Sequence, residues 1–277
     1  MSGGESGAGW LAGELTTLAL CWRIERRDGV AIGLTDHDRD LTIEGLCYRA
    51  APGMVPSAIK RSSDIDADTM QVAGALTSEA IDEESLLAGR WDGARVVLFG
   101  VDWTGGGDAR VALGEGRLGS VELKDGGFSA ELAGIAAALG RPVVEATAPE
   151  CRAELGDARC RVPMAGRRRF ARVLAVDGAV LTTDGEEPLA NACGGGVLRW
   201  FGGADGGMEA AIALSAGATV TLRAAPPLAV VAGTLVELIE GCDKSIATCA
   251  ARFANAANFR GEPYLPGMDL LTRYPGE

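Results

Sequence analysis

Leu18-Ala-Leu-Cys-Trp-Arg-Ile-Glu25, the turn Arg26-Arg27-Asp28-Gly29, and the return Val30-Ala-Ile-Gly-Leu-Thr35 set the pattern for the whole chain. Apolar side chains alternate loosely on both sides of an Asp-Gly pair. That is the signature of a hairpin, because a strand presents successive side chains to opposite faces and Asp-Gly tolerates the tight turn between strands. The pattern recurs at Phe170–Val176, Asp177-Gly178 and Ala179–Thr183. Further strands are expected at Cys47–Ala50, Ala94–Val101, Thr219–Arg223 and Thr234–Glu240, and several more within Asp108–Leu123, where Gly114, Gly116 and Gly119 punctuate the run. Helices are few: one capped by Ser78 and running through Ala88, a short one over Ile135–Leu139, and a last one capped by Asp243 and ending near Phe253.

Forty glycines in 277 residues, with aromatics at 5%, leave a core of Val, Leu, Ile and Ala, which suits inward-facing strand positions. The fold class expected is mainly β, as two β-barrel or sandwich-like domains with a few short helices and an extended C-terminal arm over 258–277. Pro142–Pro149 is the best candidate for a domain boundary, since the composition shifts after it, and the domains are expected at 1–160 and 161–277. Asp and Glu outnumber Lys and Arg by 38 to 26, a net charge of −12. Such a surface repels a nucleic-acid backbone, whose binding needs cationic contacts. The run Arg167-Arg168-Arg169 reads as a solvated strand entrance. The opening Met1–Gly7 has no apolar leader, and stretches such as Pro226–Leu235 are too short to span a bilayer, so membrane insertion is not expected.

Seven cysteines fall at 21, 47, 151, 160, 193, 242 and 249. An odd count without secretory context argues against a disulfide framework. Four form two pairs, Cys151-x8-Cys160 and Cys242-x6-Cys249. Zinc knuckles use tighter loops, and a larger object such as a cubane cluster suits the wider spacing better. A metal or cluster site, buried thiols and disulfides all stand open on spacing alone. The first pair lies in a polar, Gly-containing loop, where packing does not explain a thiol, and Arg152 and Arg159 stand ready either to offset thiolate charge or to be ordinary loop charges. Cys21, Cys47 and Cys193 lack partners at ligand spacing and are assigned to core packing.

Catalytic readings are sparse. His37 is the lone histidine, and only Cys47 is near it in sequence as a nucleophile partner. Asp36-x-Asp38-x-Asp40 starts like a calcium loop, but Leu41 and Cys47 occupy positions where such a loop needs Gly and Glu, so an acidic turn is expected. Gly105–Gly107 and Gly194–Gly196 lack the context of a phosphate cradle and read as flexible loops.

The stretch Gly241-Cys242-Asp243-Lys244-Ser245-Ile246-Ala247-Thr248-Cys249, with Arg252-Phe253-x-Asn255 and Asn258-Phe259-Arg260-Gly261-Glu262-Pro263-Tyr264-Leu265-Pro266-Gly267, resembles the C-terminal signature of a phage tail-tip family found in siphophages and gene transfer agents. Gly33-Leu34-Thr35-Asp36-His37-Asp38-Arg39-Asp40-Leu41 resembles the same family near its N-terminus. The paired spacings are similar to those of the minor tail protein L family of lambda-like phages, whose members carry a [4Fe-4S] cluster, although this chain is longer between the pairs. The resemblance implies that Cys151, Cys160, Cys242 and Cys249 ligate such a cluster, which would staple the two domains together. It further implies a structural hub subunit without enzymatic activity at the tail tip of a phage-like particle, assembled in the bacterial cytoplasm. The expected partners are two further copies in a homotrimer, a distal tail protein ring above and a central tip or fibre protein below, with a tape-measure protein and a tail peptidase as neighbours. DNA would pass through without specific binding. The rivals are an iron–sulfur redox or electron-transfer protein, for which no nucleotide or flavin motif is present, and a zinc-stapled binding module.

Serine at any of Cys151, Cys160, Cys242 or Cys249 is expected to abolish the visible colour of the purified protein and lower its melting temperature. Cys193→Ser should change little; equal effects there would mean the ligand set is wrong.

Overall fold

The computed structural model describes residues 9–12, 17–50, 55–56, 69–75, 81–105, 109–124, 127–134 and 144–265. It is mainly β, and the chain divides into two compact units, Met1–Pro142 and Val143–Glu277. The division falls at the start of the Pro142–Pro149 stretch, ahead of the 160/161 boundary expected from the sequence. Cys151 and Cys160 therefore belong to the same unit as Cys242 and Cys249, and no cluster held by these four could staple one unit to the other.

Among the described residues the first unit is built on a nine-stranded sheet. Its strands are β1 (Leu18–Glu25), β2 (Ala31–Thr35), β3 (Leu41–Ile43), β4 (Leu46–Ala50), β5 (Val55–Pro56), β6 (Thr69–Ala75), β7 (Arg95–Asp102), β8 (Arg110–Lys124) and β9 (Gly127–Ala133). They lie in the order β3-β4-β2-β1-β7-β8-β9-β6-β5. The first hairpin forms as read, with Glu25 opposite Ala31 and Gly29 at φ 88° in the turn. The loose alternation of β1 has a simple cause: both faces are buried. Trp22 and Ile24 pack with Leu34, Trp91, Val96 and Leu98 on one face, while Ala19 and Cys21 pack with Ile43, Tyr48, Phe99 and Val101 on the other. Helix α1 is only Glu83–Leu87, and its cap is Asp82, whose side chain accepts from Ser85 N; Ser78 lies outside the described residues. The first part of Phe128–Leu139 is strand β9, and the helix expected over Ile135–Leu139 also lies outside them.

The second unit contains a closed, antiparallel six-stranded barrel. Its strands are β10 (Arg168–Asp177), β11 (Val180–Thr183), β12 (Val197–Trp200), β13 (Glu209–Ala216), β14 (Thr219–Leu222) and β15 (Leu235–Ile239). They close in the order β10-β11-β14-β13-β12-β15, so the first strand pairs with the last, Arg168 opposite Ile239. Alternate residues point inward: Val173, Leu181, Leu198, Trp200, Ile212, Val220, Leu222, Val236 and Leu238 fill the interior. Cys193 joins that core at 1% exposure, as expected of a packing thiol, and so does Cys21 in the first unit. Cys47 departs from its assignment, being exposed with its thiol 3.8 Å from Asp40 Oδ2. Placing a serine hydroxyl in this core carries a desolvation cost, so the small effect expected for Cys193→Ser does not hold, and Cys193→Ala replaces it as the control.

Helix α2 (Ile246–Phe253) follows the barrel. Ser245 caps it by accepting from Thr248 N, one position for which Asp243 was expected; Asp243 instead accepts from Ser245 N and Thr248 Oγ1, bracing the cap from outside. Leu198 is fully buried, and Leu198→Ala should cost about 2–5 kcal/mol. Chemical denaturation checks this; a loss under about 1 kcal/mol would mean the barrel interior is not packed as described.

Candidate functional site

The four cysteines singled out by spacing come together at one end of the barrel sequence. Cys151 and Cys160 stand on the loop that leads into β10, Cys242 follows β15, and Cys249 sits on α2. Cys242 thus lies outside the helix that carries Cys249. Every strand of the barrel lies between the two pairs.

The first loop is built around one carboxylate. Asp157 accepts from the backbone N–H of Glu154, Arg159 and Cys160, at 3.0, 2.8 and 2.6 Å. Those donors, Cys160 first, hold its carboxyl below the usual range. The second loop is tied to the first by Cys151 N donating to Lys244 O at 2.9 Å. Cys160 packs with Ala153 and Val162, against which Cys151, Leu155 and Phe253 also rest.

All four thiols are free of disulfides. Burial pushes the Cys249 thiol up, and the charges of Cys242, Cys151 and Cys160 push it further. Burial likewise raises Cys242, with Cys151 adding to it and the Lys244 N–H and charge opposing it. Three of the four sulfurs accept N–H groups: Cys242 Sγ from Lys244 N at 3.4 Å, Cys151 Sγ from Arg260 N at 3.4 Å, and Cys160 Sγ from Asn255 Nδ2 at 3.7 Å. Among the described residues no group of three or more His, Cys, Asp or Glu is gathered tightly enough to hold a single ion. Four thiols, three of them accepting N–H groups, make up the donor set of a thiolate-held metal or iron–sulfur group.

The arginines have other work. Arg152 makes a two-pronged pair with Glu262 at 2.6 and 2.8 Å and reaches Glu145 at 3.1 Å, and Arg159 pairs with Glu145 and Asp157. They hold the arm and the loop rather than facing the sulfurs. The cation beside Cys242 is Lys244, whose ammonium donates to Ala153 O at 2.6 Å and pairs with Glu154 at 2.9 Å. Sequence spacing gave no sign of Lys244 or Asn255 as parts of the site beyond their place in the quoted signature.

The site is fastened to the barrel through Glu240, which is 6% exposed and pairs with Arg167 at 2.7 Å and Arg252 at 2.8 Å. Arg252 also donates to Gly241 O and Ala192 O, and both guanidiniums lie over the ring of Phe253. The triplet Gly194–Gly196 is no loose loop. A Cβ on Gly196 would lie 2.1 Å from Ile239 O, and one on Gly241 2.1 Å from Gly196 N, so two backbones touch just before Cys242.

In the first unit His37 is occupied structurally. Its Nδ1 accepts from Arg39 N at 3.1 Å, and its ring lies 5.0 Å from that of Trp103. Cys47 turns to Asp40 instead, so no Cys–His pair forms there.

A family model described as the N-terminal attachment domain of a baseplate hub protein matches residues 5–163, and a model for a conserved hypothetical phage protein matches residues 192–269. Among solved structures, a chain from the virion of a native gene transfer agent particle is 37% identical, with a TM-score of 0.84, over 97% of this chain and 94% of that one. No curated protein sequence matches.

The Arg152 guanidinium, helped by Ala148 N–H, holds the Glu262 carboxyl at about 2, down from 4.5. A folded value below the unfolded one means the pair's contribution is complete above pH 4.5 and is lost as pH falls through about 2. An NMR titration of Glu262 should show a midpoint near 2; one near 4.5 would mean the arm is not held by Arg152 in solution.

Proposed function

Because this chain belongs to the phage baseplate hub family and has a structural place in the tail of a phage-like particle, we propose that it is a tail-tip hub subunit whose second unit is clasped by a [4Fe-4S] cluster and which forms part of the channel for DNA delivery. The observation that carries the cluster is the convergence of Cys151, Cys160, Cys242 and Cys249, undisulfided and met by three N–H donors. When bound, the cluster would supply four metal–thiolate bonds.

The chain's own residues do the rest. Asp157 shapes the first ligand loop, Ser245 and Asp243 start the helix that presents Cys249, and Gly196 and Gly241 seat Cys242 against the barrel. Linking Cys160 to Cys242 closes a loop that contains the entire barrel, and restricting so long a loop in the unfolded chain stabilises the fold by roughly 4–5 kcal/mol on the chain-entropy model. Metal–ligand bonding adds to this, because such a site does not exist in the unfolded chain.

The particle role is of the same kind: a homotrimeric ring between a distal tail ring and a central tip protein. The acidic excess favours passage of DNA without adhesion and is concentrated in the first unit, where residues 1–142 carry 22 Asp and Glu against 13 Lys and Arg; the remainder carry 16 against 13.

Anaerobic purification followed by a visible spectrum and assays for iron, acid-labile sulfide and zinc tests the cluster. About four iron and four sulfide per chain are expected. Stoichiometric zinc without sulfide would keep the clasp and reject the cluster, and a metal-free, stably folded protein would reject both. Sedimentation of the same sample should give three copies per particle; a monomer in the presence of the distal tail ring would overturn the ring.

A further inference from the structure

Two of the three N–H donors to the sulfurs come from the segment that follows α2, not from the ligand loops. Asn255 Nδ2 donates to Cys160 O at 2.6 Å and lies 3.7 Å from Cys160 Sγ, and Arg260 N donates to Cys151 Sγ at 3.4 Å. The side-chain amide of Asn255 has one orientation open to it. Asn258 Nδ2 donates to its Oδ1 at 2.7 Å, so the NH2 group must face Cys160.

The backbone places Asn255 equally firmly. α2 ends at Ala254 in the left-handed region, φ 49°, and Asn255 N then donates to Cys249 O at 3.0 Å. Asn255 is thereby bonded to two candidate ligands from different segments, Cys249 through its main chain and Cys160 through its side chain. Farther on, Arg152 N donates to Arg260 O at 3.1 Å, Glu262 N donates to Ala148 O at 2.8 Å, and the Arg152–Glu262 pair closes the contact. Residues 255–262 thus lie as a strap across the loop that carries Cys151 and Cys160.

We propose that Asn255 is a positioning residue of the sulfur site and that residues 255–262 form a latch whose closure depends on the site being loaded. The inference rests on the cluster reading above. A sulfur that ligates iron carries more negative charge than a free thiol and accepts an N–H bond more strongly. Loading the site tightens the bonds from Asn255 and Arg260, and by reciprocity a closed strap favours the loaded site. The segment next to the latch carries Tyr264, 89% exposed, so the state of the site also sets how that aromatic is presented.

Arg260 is exposed and supplies its own reporter, because trypsin cleaves after it when the strap opens. Wild-type protein reconstituted anaerobically with Fe²⁺ and sulfide is compared with the same protein stripped by a chelator and mild oxidant, with cleavage within residues 1–142 as internal control. Stripping should accelerate cleavage at Arg260 about tenfold or more, since proteolysis follows the open population. In loaded protein, Asn255→Ala should do the same and move the midpoint potential to a more negative value, whereas Asn255→Gln should restore part of both. A packing role alone would leave the potential unmoved. If reconstitution yields no bound iron and sulfide, the cluster reading fails and the latch with it. If loaded and stripped proteins are cut equally fast, the latch alone fails; that comparison needs no variant to fold.

Discussion

The second unit depends on the Glu240 carboxylate. A buried carboxylate without partners would be untenable, since its desolvation costs several kcal/mol. Arg167 from the entrance of β10 and Arg252 from α2 both reach its Oε2. The triad joins the place where the barrel begins, the place where it ends and the helix that follows. Phe253, whose ring lies under both guanidiniums, also packs against Cys160 and its neighbours. The sulfur site inherits its geometry from this ion triad before any metal is considered.

The same unit explains why a clasp belongs here. In a closed barrel the last strand must find the first, and the β10–β15 pairing is the one that completes the ring. The cysteine pairs flank that seam, one before β10 and one after β15. Bonds among them act on the joint where the barrel would otherwise open. A link between the two units, the arrangement the sequence led us to expect, would have protected no such joint.

What was legible in the sequence was local. Asp28-Gly29 and Asp177-Gly178 announce their hairpins because turn geometry is decided by the turn residues themselves, and the cysteine pairs are visible because their spacing is short. What was not legible depends on partners far along the chain. Gly194–Gly196 looked like a flexible run, since nothing nearby shows that Gly241 will press against it. Arg152 and Arg159 looked available to the sulfurs because Glu262 and Glu145, which claim them, come from elsewhere. How the strands of the first unit are ordered was not legible either, because a strand buried on both faces, such as β1, shows the same apolar residues whichever neighbours it pairs with.

The closure of β10 on β15 also fixes a schedule. As the chain leaves the ribosome, β10 emerges with its hairpin partner β11 but must wait for nearly the whole barrel sequence before its other edge is covered, and such non-local pairings form slowly. Cys151 and Cys160 emerge first and Cys242 and Cys249 last. The thiol site is therefore complete only after the barrel can close, and its completion marks a finished subunit.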